Sequence, residues 1–342
     1  MKVLIVGKKA NENAESFILK AFIQLGVESE LLGLDDYFSQ SLINRIFNKI
    51  RRVPKYWGLK PLNDAVIKRA TEFKPNFILF FKPILIFSST VIELKKITKV
   101  FSWYPDYIPF AKTASVDFLN SIPLYDCHFS FNFANVEELK KKGAKISLFL
   151  PCAADPDCHS LTEVSEKEKK ELGADVVFAG TYAKEKRSEY LERLCKDGYD
   201  IKIYGDGWGK HPKNSCLWQK KYIQSKSFYC KNMSKVLNAG KITLAFVREH
   251  NKETLACRTY EIPAAGGFML HQRTAKTGEV FEEDKEAAFF SSYEEMKEKI
   301  DFYLKNEELR KKIIQRGRER VLNENLFIYR IQRIIEIFEE LR

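Results

Sequence analysis

The stretch ETLACRTYEIPAAGGFML spans residues 253–270 and combines two glutamates, an arginine, a proline and a Gly-Gly pair. Residues 254–264 predict a helix that Pro263 ends or kinks. The glycine pair permits a tight turn and a close approach of the backbone to a ligand. The apolar residues 268–270 then predict a short buried strand, and a helix followed by a buried strand is typical of an α/β protein.

The two glutamates of this stretch, Glu253 and Glu261, are separated by seven residues, about two helical turns. On one helix, or on a loop that leads into one, both carboxylates would face the same pocket. A solvated helix followed by a glycine turn would show the same letters, so the pattern alone leaves that alternative open.

Strand and helix patterns alternate along the rest of the chain. Residues 2–6 predict a strand, 15–25 a helix and 27–34 a second strand, which is a β-α-β unit of a parallel sheet. Further strands are predicted at residues 76–81, 99–104, 125–131, 146–150, 175–179, 201–204, 242–247 and 287–290. Only Gly7 stands where a G-x-G-x-x-G motif is expected, which argues against a dinucleotide site. The length of 342 residues predicts two domains.

The segment RTYEIPAAGGFML, residues 258–270, resembles the nucleotide-sugar site of spore-maturation-type (CgeB-like) glycosyltransferases. These proteins are bacterial relatives of the large retaining group that carries a Glu-x7-Glu motif. The resemblance covers almost the whole chain and implies a GT-B fold, with two doubly wound Rossmann-like α/β domains facing each other across a cleft. It implies an N-terminal acceptor-binding domain (1–152), a linker (153–173), a nucleotide-sugar-binding domain (174–325) and a C-terminal helix that crosses back (326–342).

The implied reaction moves a sugar from a nucleoside-diphosphate sugar to a surface-glycan, lipid-linked or protein acceptor. Its leaving diphosphate needs cations or helix dipoles as its charge grows. The resemblance assigns catalytic roles to Asp106, Arg258 and Glu253, the last of them in contact with the donor sugar. Glu261 is assigned to the ribose hydroxyls. The residues expected to bind the donor are Gly180, Arg187, Gly205, Arg258, Glu261, Gly266 and Gly267.

Two of these assignments also follow from position. Arg187 lies just before a predicted helix, and backbone N–H groups at a helix start together with an arginine suit a diphosphate. Asp106 follows a predicted strand, and ligands bind at the carboxyl ends of strands in open α/β sheets. A turn aspartate or a helix cap is the alternative for Asp106.

No metal-binding pattern is present in the sequence. The five histidines are scattered without an H-E-x-x-H motif. The D-P-D sequence at Asp155–Asp157 follows a complete α/β domain, which is the wrong context for a metal-binding D-x-D motif. Arginines and helix ends can supply the positive charge instead, so we expect transfer without a metal or other cofactor.

The cysteine pattern bears on the cellular compartment. Seven cysteines, an odd number with no C-x-x-C pair, predict neither a disulfide framework nor a structural zinc, and they favour a reducing cytosol. The first residues indicate a strand and not a signal peptide. The longest apolar run, residues 77–87, is shorter than the roughly 20 residues of a spanning helix. We therefore expect the protein in the cytoplasm or on the inner face of the plasma membrane.

The segment from Arg45 to Lys60 is basic and lies within residues 37–63, which contain no acidic residue. On a helical wheel its apolar residues form one arc, and Tyr56-Trp57 follow. This pattern is typical of a helix on an anionic membrane surface, and it predicts a peripheral membrane contact. A helix that packs its apolar arc on the protein core is the alternative.

Two other classes of function are compatible with parts of the sequence. A net charge of +11 and 13% aromatic residues are compatible with nucleic-acid binding, but no RNP, zinc-finger or helix-turn-helix signature is present. No nucleic-acid partner is therefore expected. A catalytically inactive GT-B protein with a structural or binding role is the stronger alternative, because fold alone does not guarantee activity. Retention of Arg258, Glu261 and Gly266 favours an enzyme.

Overall fold

The computed structural model describes residues 1–37, 56–109, 114–224 and 227–342. The chain divides into two compact units, Met1–Pro151 with Arg330–Arg342 and Cys152–Tyr329. Each unit is built on a parallel sheet with helices between successive strands. The predicted fold class, two Rossmann-like α/β domains, is confirmed.

The first unit holds a six-stranded sheet of order β2-β1-β3-β4-β5-β6. Its strands are β1 (Lys2–Gly7), β2 (Glu28–Gly33), β3 (Phe77–Phe81), β4 (Lys99–Tyr104), β5 (Cys127–Ser130) and β6 (Ser147–Phe149). Its helices are α1 (Ala14–Gln24), α2 (Tyr56–Phe73), α3 (Ser88–Lys95), α4 (Val116–Ser121) and α5 (Ala134–Lys141). Every residue of β3 is buried, as expected for a parallel strand covered on both faces.

The second unit holds a five-stranded sheet of order β11-β10-β9-β7-β8. Its strands are β7 (Val176–Ala179), β8 (Ile201–Tyr204), β9 (Ile242–Ala245), β10 (Met269–Gln272) and β11 (Ala288–Phe290). Its helices are α6 (Glu166–Leu172), α7 (Lys186–Lys196), α8 (Cys216–Gln219), α9 (Cys230–Ala239), α10 (Arg258–Ala264), α11 (Thr277–Val280), α12 (Tyr293–Lys305) and α13 (Glu307–Glu324).

The last helix, α14 (Phe327–Glu340), carries the chain back to the first unit. Its residues from Arg330 onward belong to that unit. The Phe338 ring packs 5.0 Å from the Phe77 ring of β3, centroid to centroid, and both side chains are buried. The C-terminal segment is thus part of the hydrophobic core of the first unit.

Residues 153–173, expected as a linker, lie within the second unit. Asp155 is buried, and its Oδ1 accepts hydrogen bonds from the backbone N–H groups of Asp157 and Cys158. Further on, the charged residues form α6, whose helix start is capped by the Ser165 side chain. The polar composition of this stretch belongs to an exposed helix. A run of charged residues is equally compatible with such a helix and with a linker, so the sequence alone could not distinguish them.

The prediction that the cysteines form no disulfide is wrong. Cys158 is bonded to Cys230, and Cys195 to Cys216. These partners are 72 and 21 residues apart in sequence, so a search for short C-x-x-C spacing could not find them. The cysteine count therefore no longer supports a reducing compartment.

The predicted membrane contact rests on a segment that the structure covers only in part. Most of Arg45–Lys60 falls on residues 38–55, outside the described residues. Lys60 itself lies in α2, where its ammonium is 2.6 Å from the Asp64 carboxylate. Within the described ranges, no helix is long and apolar enough to cross a membrane.

Candidate functional site

Two glycine turns meet at the carboxyl edge of the second sheet. Gly180 follows β7 and Gly205 follows β8, and the Gly180 N–H donates to the Tyr204 carbonyl at 2.8 Å. Gly205 has φ +128°, and a Cβ atom added there would lie 2.4 Å from the Gly180 carbonyl oxygen. The same oxygen accepts a hydrogen bond from Trp208 Nε1 at 2.9 Å. Gly205 is therefore required for the close approach of the two turns.

Arg258 reaches the carboxyl end of β7. Its Nε donates to the Ala179 carbonyl at 3.0 Å, and its guanidinium pairs with Glu261, one turn later on α10. The helix begins at Arg258 and not at Thr254, because the preceding residues form a 3₁₀ turn and a loop. Burial lowers the pKa of Arg258, but an arginine stays protonated at neutral pH. A fixed cation therefore stands at the strand end.

Glu261 has a second neighbour, His159, that the sequence did not indicate. The Nε2 atom of His159 lies 3.7 Å from Glu261 Oε1, and its Nδ1 accepts the Asp155 backbone N–H at 3.0 Å. Burial, and then the charge of Arg258, lower the pKa of His159 to about 4. The imidazole is therefore neutral at pH 7, and Arg258 supplies the positive charge that balances Glu261.

Arg187 is the second residue of α7 and is almost fully buried, with 6% of its side chain exposed. Its Nη2 lies 3.8 Å from Glu185 Oε2, and its Nε has no hydrogen-bond partner among the described residues. Burial lowers the pKa of the guanidinium, while Glu185 raises it. A buried N–H donor without a partner at the start of a helix is suited to an anionic ligand.

Glu253, expected to contact the donor sugar, is held by its own loop. Its Oε2 accepts the Arg248 backbone N–H at 2.9 Å, and its Oε1 accepts Arg248 Nε at 2.6 Å. Oε1 also accepts Asn251 Nδ2 at 2.9 Å. The structure thus brings Glu253 to the site region but turns its carboxylate toward the 248–253 loop.

The 248–253 loop packs on the start of α7. The His250 backbone N–H donates to Glu185 Oε1 at 3.2 Å, and the His250 ring contacts the same carboxylate. Lys186 Nζ lies 3.6 Å from a Glu249 carboxylate oxygen. These contacts place the loop, Arg187 and the end of β9 at one edge of the sheet.

Cys257 immediately precedes α10 and is a free cysteine. Its pKa is lowered first by a hydrogen bond with Cys152, and it also responds to the charges of Glu253, Arg258 and Arg248.

Gly266 and Gly267, expected to approach the donor, lie past the opposite end of α10 from Arg258. Gly266 has φ +83°, and a Cβ atom there would lie 2.5 Å from the Leu161 side chain. At Gly267 it would lie 2.5 Å from the Leu237 carbonyl oxygen. Both glycines are buried, so protein packing explains why they are small.

Asp106 lies in the first unit, just past the carboxyl end of β4. Its Oδ2 is 2.6 Å from Lys82 Nζ, and its backbone carbonyl accepts Asn135 Nδ2 at 2.6 Å. Lys82 lies just past the carboxyl end of the neighbouring strand, β3. The two charges meet at the carboxyl edge of the first sheet. There 14% of the Asp106 side chain is exposed.

In the part of the chain that the structure describes, no group of three or more His, Cys, Asp or Glu side chains could hold a metal ion. Arg258, Arg187 and Arg248 each supply a positive charge at the carboxyl edge of the second sheet. The Asp155–Asp157 carboxylates belong to the turn that carries His159.

Comparison with known proteins relates the chain to glycosyltransferases. A family described as glycosyl transferase-like matches residues 186–336, from the start of α7 into α14. A glycosyltransferase from Rickettsia africae has a TM-score of 0.66 at 14% identity, over 99% of this chain and 98% of its own. No curated protein matches the sequence.

Two further solved structures share the fold over nearly the full length. Anabaena HepE, solved with UDP-glucose, has a TM-score of 0.65 at 10% identity, over 99% of this chain and 100% of its own. Sucrose-phosphate synthase from Thermosynechococcus elongatus has a TM-score of 0.65 at 11% identity, over 99% of this chain and 98% of its own. These matches confirm the GT-B fold.

Proposed function

We propose that this protein transfers a hexosyl group from a nucleoside-diphosphate sugar to an acceptor hydroxyl. The observation that carries the proposal is the Arg258–Glu261 pair at the carboxyl end of β7, in which Glu261 is buried and 28% of the Arg258 side chain is exposed. In open α/β sheets this edge is where ligands bind. The match of residues 186–336 to a family described as glycosyl transferase-like supports the same activity. Anabaena HepE, which shares the fold at 10% identity, was solved with UDP-glucose.

The proposed chemistry is electrostatic stabilisation of the departing diphosphate. Arg258, Arg187 and the backbone N–H groups at the start of α7 offset the negative charge that grows as the glycosidic bond to the donor breaks. Charge-assisted hydrogen bonds from guanidinium groups are about twice as strong as neutral ones. Glu261 holds Arg258 through one carboxylate oxygen and offers Oε1 to the ribose hydroxyls.

We place the acceptor side at the carboxyl edge of the first sheet. There Lys82 neutralises and orients the Asp106 carboxylate, which then can accept a hydrogen bond from an acceptor hydroxyl. The acceptor proposed is a surface glycan, a lipid-linked sugar or a protein.

Release of UDP from UDP-sugars tests the activity directly. We expect slow donor hydrolysis by water, stimulated by the right acceptor glycan, in a coupled assay over a panel of nucleotide sugars. Binding of a nucleoside diphosphate without turnover of any donor would support the alternative of an inactive GT-B binding protein.

Transfer is expected to persist in excess EDTA. The positive charge at the proposed diphosphate site comes from arginines and a helix start, so removing divalent ions takes away no group that the mechanism uses. The check is the initial rate of UDP release before and after chelation. Complete loss of the rate in EDTA, restored by manganese or magnesium, would contradict a metal-independent site.

A peripheral membrane contact through Arg45–Lys60 is proposed from sequence. Each basic residue near an anionic surface contributes about 1 kcal/mol, screened by salt. We expect co-sedimentation with anionic but not with neutral liposomes, weakened by salt and by changing four residues to Gln: Arg45, Lys49, Arg51 and Arg52. Binding that is absent, or indifferent to lipid charge and to these residues, would favour an acceptor that is not presented at a membrane.

A further inference from the structure

Glu253 is the first glutamate of the Glu-x7-Glu spacing, and its carboxylate is held by hydrogen bonds from its own loop. Oε1 accepts hydrogen bonds from Arg248 Nε at 2.6 Å and from Asn251 Nδ2 at 2.9 Å. Oε2 accepts the Arg248 backbone N–H at 2.9 Å. Each carboxylate oxygen has about two acceptor positions. Both acceptor positions of Oε1 are therefore occupied by groups of the loop, and one of the two acceptor positions of Oε2 is occupied as well.

Exposure distinguishes the two members of the pair. The Arg248 side chain is 38% exposed, whereas that of Glu253 is 9% exposed. Asn251, the other partner of the carboxylate, is buried. A ligand that approaches this loop from solvent therefore meets the Arg248 guanidinium and not the Glu253 carboxylate.

The position of the pair indicates which ligand group it would meet. Arg248 follows β9, which lies beside β7 in the sheet, so both strand ends share one edge. Arg187 Nη2 lies 3.8 Å from the Glu185 carboxylate, which accepts the backbone N–H of His250, two residues after Arg248. Burial is the main cause that lowers the pKa of Arg187; the charge of Arg248 lowers it further, and the charge of Glu253 raises it. The pair therefore lies within electrostatic range of the buried guanidinium at the start of α7.

We propose that Arg248 contacts the diphosphate of the donor, and that Glu253 is a positioning residue that holds Arg248 without touching the donor sugar. This inference rests on the proposed function. A guanidinium held side-on by a carboxylate has a fixed orientation, which reduces the entropy lost when it binds phosphate. The role differs from the one implied by the Glu-x7-Glu resemblance, in which Glu253 contacts the sugar.

A double-mutant cycle tests the inference, with UDP and inorganic pyrophosphate as ligands in calorimetry. Arg248→Ala is expected to weaken the binding of both by about 10- to 100-fold, the loss of a charge-assisted contact. Glu253→Gln is expected to weaken both ligands less, because the amide no longer fixes the guanidinium by charge. In the Arg248→Ala background, Glu253→Gln is expected to have no further effect, because it acts through Arg248.

UDP-glucose provides the discriminating ligand. If Glu253 contacts the sugar, Glu253→Gln weakens the binding of UDP-glucose but leaves the affinities for UDP and pyrophosphate unchanged. That result would overturn the inference. Arg248→Lys, which keeps the charge, is expected to recover part of the pyrophosphate affinity. A merely structural role for Arg248 would not produce this rescue, since lysine cannot reproduce the side-on pairing with Glu253.

Arg193→Ala is the matched control. Arg193 is also paired with a glutamate, Glu294, has a similar exposure of 42%, and lies further along α7. Its loss should leave all three affinities unchanged. Wild-type protein that binds neither pyrophosphate nor any of a panel of nucleoside diphosphates would refute the proposed function itself. Wild-type binding that Arg248→Ala does not alter would refute only this inference.

Discussion

Replacing Arg258 with alanine is expected to lower kcat/KM for sugar transfer by about 100- to 1000-fold, the loss found when one preorganised donor to a developing charge is removed. The guanidinium is fixed at the end of β7 by its hydrogen bond to the Ala179 carbonyl and by its pairing with Glu261. Removing it takes away the cation that the proposal places against the departing diphosphate. Steady-state UDP release measures the loss of kcat/KM, and calorimetry with UDP measures the loss of diphosphate binding.

The substitution also affects stability, so it needs a control that separates folding from function. Arg258→Ala leaves the buried Glu261 carboxylate without its cation. This lowers the stability by less than the about 3–5 kcal/mol of a fully buried pair, because 28% of the Arg258 side chain is exposed. Adding Glu261→Gln removes the uncompensated charge and should recover much of the stability but none of the donor binding. Unchanged UDP affinity in a folded Arg258→Ala protein would contradict the assignment of Arg258.

Opening the Cys158–Cys230 disulfide is expected to lower the free energy of unfolding by about 4 kcal/mol, because the bridge closes a long loop of the unfolded chain. The partners are 72 residues apart, and Cys158 immediately precedes His159, the neighbour of Glu261. Urea denaturation of the Cys158→Ser, Cys230→Ser protein against wild type measures the change.

The second disulfide is an internal comparison for the first. Cys195 and Cys216 are only 21 residues apart, so opening that bridge should cost less, about 3 kcal/mol. Equal stability of wild-type protein with and without reductant, or a peptide map with all seven thiols free, would contradict both disulfides.

The fold could be predicted from sequence because its strands and caps are local signals. Parallel strands covered on both faces are continuous apolar runs, as in Phe77–Phe81, and helices separate them. Helix caps are also local, as at Ser292, whose Oγ accepts the Glu295 backbone N–H at 3.1 Å. Contacts between distant residues leave no such signal, and for that reason the two disulfides were missed.

The contacts within the candidate site could be predicted from sequence where two residues share a helix. Arg258 and Glu261 are three residues apart on α10, and side chains at that spacing are neighbours. The interval from Glu253 to Glu261 crosses a loop, because α10 begins only at Arg258, so helical spacing could not describe Glu253. Its partner Arg248 and the His159 ring beside Glu261 became visible only through the tertiary structure.

The pairing of arginines with glutamates explains how several cations are kept near one sheet edge. Arg258 pairs with Glu261, Arg248 pairs with Glu253, and Arg187 lies 3.8 Å from Glu185. Removing charged groups from water is costly unless each is paired. The carboxylates therefore stabilise a cluster of guanidinium groups that would otherwise repel one another.

A crystal structure of the protein with UDP tests most directly whether the edge formed by β7, β9 and the start of α7 binds the donor. We predict that the diphosphate lies against the guanidinium groups of Arg258 and Arg187 and the first N–H groups of α7, with the ribose at Glu261. A diphosphate bound elsewhere in the protein, with Arg258 still turned to Glu261 and away from the ligand, would contradict this account.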